Sequence, residues 1–309
     1  MSPVPARIAV LFAAVLLAMG CDTTSTRPES QVVVEAYLQA GAPMETIRLT
    51  RSVPTDAAYD PTDNAVRNAD VSVRRLGAEG TPVETYNFEE KQPGVYTPVG
   101  PAHVRPQATY KLVATTAGGT EVTATTTVPD TIGVVRVENQ QAVYQGANQP
   151  ALTVTPPRSA REGQSILVLT TTSLLDFEDT PAKELRAQLT PPYASNYDAE
   201  EDTLTALRVT SSGLLNEENF ERVQNDGIRV QLPWLSVAFF GPNEVAVHVV
   251  DDNLYDFIRS QQLQQGGFGS GGFGPGTIPN VIEHVNGGTG IFGGYARAHR
   301  RVEIQRPGE

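Results

Sequence analysis

Apolar and polar side chains alternate with a period of two between residues 31 and 128. Val32, Val34, Ala36 and Leu38 mark one face of the first run, and about six shorter runs follow it. Successive side chains of a β-strand point to opposite faces, so this alternation predicts strands with one buried and one wet face. Glycine- and proline-containing turn signals separate the runs, and no long helical pattern interrupts them.

We therefore predict a mainly β protein whose first domain, residues 31–129, is an immunoglobulin- or fibronectin-like β-sandwich. The Cys–Trp–Cys pattern of antibody domains is absent, so the prediction concerns architecture alone. Strand patterns continue less regularly after Pro129, and residues 130–309 are predicted to form a second β-rich domain with two short helices. At a usual 100–200 residues per domain, about two domains agree with the length of the chain.

Each predicted helix begins at a polar residue that could cap it. Asn216 would cap one that carries Phe220 and Val223, and Asp251 or Asp252 would cap one that runs from 253 to about 265. A glycine-rich loop, residues 266–276, follows the second helix. Ordering so much glycine has a high entropic cost, so this loop is predicted to be mobile.

The N-terminus has the pattern of a bacterial secretion signal. Twelve apolar residues, 8–19, are too few for a stable membrane span but match the apolar core of a signal peptide. The string from Leu17 to Cys21 resembles a lipobox, which predicts a signal peptide over 1–20, acylation of Cys21 by chains such as palmitate, and a lipidated tether over 21–30. The alternative is an ordinary secreted protein with a free cysteine near its start.

Composition excludes several classes of function. The chain has 35 acidic and 23 basic residues and a net charge of −12, which disfavours nucleic-acid binding. A single cysteine excludes an intrachain disulfide and a cysteine-rich metal cluster. The four histidines are scattered, so no metal site and no cofactor are predicted.

No catalytic motif stands out, and we expect no enzymatic activity. The G-x-S-x-G nucleophile elbow of serine hydrolases is absent. Carboxylates at Asp198, Glu200, Asp251 and Asp252 leave a secreted glycan hydrolase as an alternative, which would need two of them about 5–10 Å apart in a cleft. The acidic loop 198–202 is a solvated loop or a surface calcium site, and Asp251 and Asp252 equally suit helix capping.

Two glycine-rich segments carry binding hypotheses. Phe268 and Phe273 lie inside the loop 266–276, where exposed aromatic rings would form an adaptable partner-binding tip, or else fold back onto the surface. The turn over 287–290 lacks the Lys-Ser/Thr of a phosphate-binding loop. We interpret it as a bend where backbones approach closely, anchored by the aromatic residues that follow it.

Several short motifs follow one another in a characteristic order, at residues 32–38, 47–54, 68–73, 93–96, 109–112, 122–129, 255 and 288–295. The segment GIFGGY after a glycine-rich loop is the most diagnostic of them. Their order resembles the domain-of-unknown-function 4249 family of outer-membrane lipoproteins, and the resemblance covers nearly the whole chain after Cys21.

The resemblance implies a protein that is lipid-anchored at the outer membrane and often encoded beside TonB-dependent receptors, with no catalytic residues to carry over. It favours a ligand- or partner-binding accessory to TonB-dependent transport, with the membrane, a receptor and an unidentified small molecule or glycan as its partners. A structural envelope or adhesion component is the remaining alternative, besides the glycan hydrolase.

Overall fold

A computed structural model describes residues 30–54, 57–155, 165–199, 203–223, 227–264, 282 and 284–308, and side chains are described in it except those of 262–264. The predicted signal peptide, Cys21, Glu200 and the loop 266–276 with Phe268 and Phe273 lie outside these residues.

The alternating N-terminal region forms the expected number of strands. In β1 the apolar positions of the pattern face the core, since Val32, Val34, Ala36 and Leu38 are at most 3% exposed. Among the described residues up to 127 there are seven strands: β1 (Val32–Gln39), β2 (Ile47–Arg51), β3 (Asp70–Leu76), β4 (Pro82–Gln92), β5 (Val95–Pro98), β6 (Thr109–Thr115) and β7 (Glu121–Thr127). The prediction of a mainly β fold is confirmed.

The rest of the described chain adds ten strands and three α-helices. The strands are β8 (Val134–Glu138), β9 (Gln141–Val143), β10 (Ala151–Val154), β11 (Ile166–Ser173), β12 (Val209–Asn216), β13 (Glu221–Val223), β14 (Gly227–Gln231), β15 (Gly241–Val250), β16 (Val285–Asn286) and β17 (Thr289–Gln305). The helices are α1 (Ala182–Ala187), α2 (Pro191–Asn196) and α3 (Asp252–Gln264). The described residues also contain short 3-10 helices at Ala206–Arg208, Glu217–Asn219 and Trp234–Ser236.

Two sheets contain all of these strands in the described residues. The larger has the order β12-β11-β15-β17-β1-β2-β5-β4-β3-β6-β7-β16, with β9 also paired to β17, and the smaller has the order β13-β14-β10-β8. Strand β17 pairs in parallel with β1 and antiparallel with β15, so the larger sheet is continuous across residue 129. One hydrophobic core joins residues from both parts, among them Leu49, Tyr110, Val247 and Phe292.

The helices follow the capping signals only in part. The Asp251 carboxylate accepts the Leu254 N–H at 2.9 Å, as predicted for the cap of α3. Asn216 does cap a turn, because its side chain accepts the Glu218 N–H at 3.0 Å, but the predicted helix is wrong in extent. That turn is a 3-10 helix of only three residues. The chain then enters β13, where Val223 pairs with β14 and so cannot continue a helix.

Candidate functional site

The described parts of residues 174–208, between β11 and β12, pack on one end of the larger sheet. Leu185 and Leu189 of this insertion are buried against Phe239, which is fully buried. The ring of Phe177 meets the ring of Phe239 edge-on, with centroids 5.3 Å apart. This small apolar cluster holds the insertion as a separate layer beside the main core.

Helix α2 has a fixed start because its first residues suit a helix N-terminus. Pro191 is the first helical residue, where a missing N–H removes no intrahelical hydrogen bond. Just before it, the Thr190 hydroxyl donates to the Val237 carbonyl at 2.7 Å, and its backbone N–H donates to Ala238 at 2.8 Å. These bonds tie the beginning of α2 to the segment that leads into β15.

An open aromatic cleft lies where α2 meets two 3-10 helices. Its volume is about 310 Å³, and Leu235 on its rim is 71% exposed. The Tyr193 hydroxyl donates to the Leu235 carbonyl at 2.8 Å and so joins the two walls. The residues that line this aromatic cleft are Pro192, Tyr193, Asn196, Tyr197, Leu207 and Leu235.

The lining of the aromatic cleft is mainly apolar. Burial raises the pKa of Tyr193, with a smaller contribution from Tyr144, so its hydroxyl stays protonated at neutral pH. The Arg186 guanidinium lies 5.1 Å from the centroid of the Tyr197 ring, a cation–π contact that stiffens this ring. Aromatic and aliphatic faces with few polar groups favour binding of an apolar side chain or a sugar ring.

The chain matches a known protein family along most of its length. The sequence pattern of the domain of unknown function DUF4249 matches residues 21–301. The chain belongs to this family. The resemblance noted in the sequence is thereby confirmed.

Curated proteins and solved structures add little to the DUF4249 assignment. No curated protein matches the chain. Trypsin-activated α2-macroglobulin from Escherichia coli superposes with a TM-score of 0.20 and 9% identity, over 72% of this chain and 14% of that one. A tetra-tandem repeat of a large adhesion protein gives 0.21 and 12%, over 88% and 48%. The DUF4249 chain thus spans less than half of either structure, and superpositions this loose carry no functional inference.

The carboxylates considered for glycan hydrolysis have different surroundings in the DUF4249 protein. Asp251 is 9% exposed, and its carboxylate accepts hydrogen bonds from the Thr126 hydroxyl and the Leu254 N–H. Burial raises its pKa to about 6, against the lowering effect of the hydrogen bonds. Asp252 is exposed in the first turn of α3, and Asp198 is exposed just after Tyr197. Asp251 therefore caps a helix and is shielded from a polymeric substrate.

His248 is a second titratable group, half-buried, with a structural environment. Its Nε2 atom lies 2.9 Å from the Thr170 hydroxyl on the adjacent strand. Burial, together with nearby Arg297 and His299, lowers its pKa to about 4, so the ring is neutral at pH 7. Within the described ranges, no three His, Cys, Asp or Glu side chains form a group that could hold a metal ion.

The glycine turn considered for nucleotide binding packs against backbone. A Cβ atom at Gly287 would overlap the Glu121 carbonyl of β7, and one at Gly288 would come within 2.5 Å of the Val32 carbonyl of β1. The following residues Ile291 and Phe292 are at most 4% exposed. This arrangement confirms the interpretation as a bend of close backbone approach.

The residues of the aromatic cleft carry no periodic signal in the sequence. Tyr193 belongs to a six-residue helix, Tyr197 directly follows that helix, and Leu235 lies in a 3-10 helix almost forty residues later. The one available hint is the pair Pro191-Pro192 directly before a tyrosine, which favours a helix start with an aromatic residue in its first turn. No helix among the described residues has the length and apolar character needed to cross a membrane.

Proposed function

We propose that this DUF4249 protein is a non-catalytic binding protein that a lipid on Cys21 holds at the outer membrane, where it assists a TonB-dependent transporter. The aromatic cleft is the observation that carries the binding role. Cys21 follows the apolar segment of the signal pattern, and the family match begins at this residue. A protein tethered in this way meets its partner at high local concentration.

The exposed side chain of Leu235 is the strongest single argument for a binding role. Fully burying a leucine that was exposed stabilises a complex by about 1.5–3 kcal/mol, roughly ten- to a hundredfold in affinity. Two tyrosine rings beside it add contact area at a low cost in side-chain entropy. The hydrogen bond between Tyr193 and the Leu235 carbonyl keeps this surface in place before the partner arrives.

Replacing Leu235 with aspartate is expected to weaken capture of the transporter. The change places a charge at the rim of an apolar site, and desolvating it would weaken binding at least about tenfold. The full-length lipoprotein, purified from detergent-solubilised outer membranes with its bound proteins, would be compared with the variant by quantitative mass spectrometry of TonB-dependent receptors.

The matched control is Val135→Asp. Val135 is 67% exposed on β8 and does not line the aromatic cleft, so its replacement introduces the same charge with similar exposure elsewhere. If both variants have the melting temperature of the unmodified protein, their folding is intact. The binding role is rejected if Leu235→Asp recovers as much receptor as Val135→Asp, or if the unmodified protein recovers no receptor.

Replacing Cys21 with serine is expected to release the protein from the membrane. Each buried CH2 group of an acyl chain contributes about 0.8 kcal/mol, and a serine hydroxyl cannot form the thioether that carries the diacylglycerol. Cell fractionation and intact-mass measurement of the mature protein give the readout. Thr24→Ser, a conservative change in the predicted tether, should remain membrane-bound and carry the lipid mass. An unmodified wild-type terminus would contradict the anchor.

A further inference from the structure

Two buried polar atoms in the larger sheet have no protein partner. They are the Thr171 hydroxyl oxygen on β11 and the Asn243 side-chain oxygen on β15, and they are the ones found among the described residues. The two side chains are 2% and 1% exposed. Buried polar atoms almost always have a hydrogen-bond partner, because losing water without replacement is costly, so this pair requires an explanation.

The two residues are diagonal neighbours on the same face of the sheet. Thr171 pairs with Val245, and Asn243 pairs with Ser173, in the antiparallel register of β11 and β15. Diagonal neighbours in such a pair have Cα atoms about 7–8 Å apart. Neither oxygen atom has a hydrogen-bond partner among the described residues, and one molecule the size of water can bridge the gap between two diagonal neighbours with hydrogen bonds of ordinary length.

The hydrogen-bond capacity of the two side chains matches a single water molecule. The Asn243 amide uses both of its protons, which it donates to the Phe239 and Gly241 carbonyls at 3.0 Å each. Its oxygen is therefore left as an acceptor that needs a donor. The Thr171 hydroxyl carries a proton that needs an acceptor. Water can donate to the first and accept from the second.

We propose that an internal water molecule occupies this position and bridges the Thr171 hydroxyl and the Asn243 side-chain oxygen. Ser173, which is 2% exposed and lies opposite Asn243, offers a third polar group, and buried waters in proteins have two to four such partners. The water joins β11 to β15 just before the chain leaves β11 for the insertion that carries the aromatic cleft. The water thus stabilises the pair of strands next to the insertion that carries the aromatic cleft.

The direct test is a crystal structure of the full chain at about 1.5 Å resolution or better. A single peak about 2.7–3.2 Å from both oxygen atoms supports the proposal. An empty gap overturns it. A peak with four or more oxygen neighbours at about 2.4 Å also overturns it, because that spacing belongs to a hard cation.

The sign of a stability change gives an independent test. Thr171→Val keeps the shape of the side chain and removes the hydroxyl. If a water is bound, the folded-to-unfolded ratio measured by urea unfolding should fall about three- to tenfold, because the water loses a donor. If the gap is empty, removing an unpaired hydroxyl should raise this ratio, and that result overturns the proposal.

Thr190→Val is the matched control. Thr190 is fully buried, and its hydroxyl already donates to the Val237 carbonyl, so its loss lowers the ratio with or without a water at the other site. A fall in this variant shows that the assay detects a lost buried hydrogen bond. If Thr171→Val does not fold, the density in the wild-type crystal still decides between the two outcomes.

Discussion

Replacing Gly290 with alanine is expected to prevent the protein from folding. Gly290 has a φ angle of +104°, which residues with a side chain rarely adopt. It pairs with Val34 in the parallel ladder between β17 and β1, and a Cβ atom at this position would overlap the Val34 carbonyl oxygen. The backbone of β1 would have to move, and β17 would lose its register with it. We expect a loss of more than about 4 kcal/mol, measured by urea unfolding or by the absence of soluble protein.

Gly100→Ala separates the clash from the backbone strain. Gly100 also has a positive φ angle, +81°, but a Cβ atom there would have no neighbour within 4 Å. This variant should lose about 1–2 kcal/mol, the usual cost of a left-handed conformation for a residue with a side chain. If Gly290→Ala were as stable as Gly100→Ala, close packing of β17 on β1 would not be a requirement of the fold.

The expected effect of Gly290→Ala also shows which parts of the fold are local properties of the sequence. Alternation in residues such as Val32 and Val34 predicts a strand and its buried face, because both depend on neighbouring positions alone. The three glycines within residues 287–290 likewise predict a bend with close contacts, because a bend also depends on neighbouring positions alone. The partners of that bend are β7 and also β1, which lies more than 250 residues earlier, and no local pattern encodes contacts over such distances.

The candidate site illustrates the same limit at the level of side chains. Capping of α3 by Asp251 could be predicted, because the cap and the helix are adjacent in sequence. Its second partner, Thr126, lies 125 residues away on β7 and could not. The aromatic cleft is harder still, because Tyr193 and Leu235 come from short irregular elements that share no period, and only the packing of the insertion on Phe239 brings them together.

Removing the buried charge of Asp251 is expected to change how stability depends on pH. Burial raises the pKa of this carboxyl from 3.8 to about 6 in the folded protein. The folded state therefore disfavours the ionised form, and the contribution of Asp251 to stability is fully present below pH 4 and is lost as the pH rises through 6. A shift of this size corresponds to about 3 kcal/mol, since one pKa unit is about 1.36 kcal/mol.

Two variants separate the charge of Asp251 from its role as a cap. Asp251→Asn keeps an oxygen for the Leu254 N–H and a polar group for Thr126, but it cannot ionise. Relative to wild type, its free energy of unfolding should rise by about 3 kcal/mol between pH 4 and pH 7, measured by urea unfolding at each pH. Asp251→Ala should follow the same trend at about 1–2 kcal/mol lower stability, because it loses the cap. The difference in free energy of unfolding between Asp251→Asn and wild type could instead be independent of pH. The Asp251 carboxyl would then have the same pKa in the folded and unfolded chains, and its burial between α3, β7 and β17 would not control its ionisation.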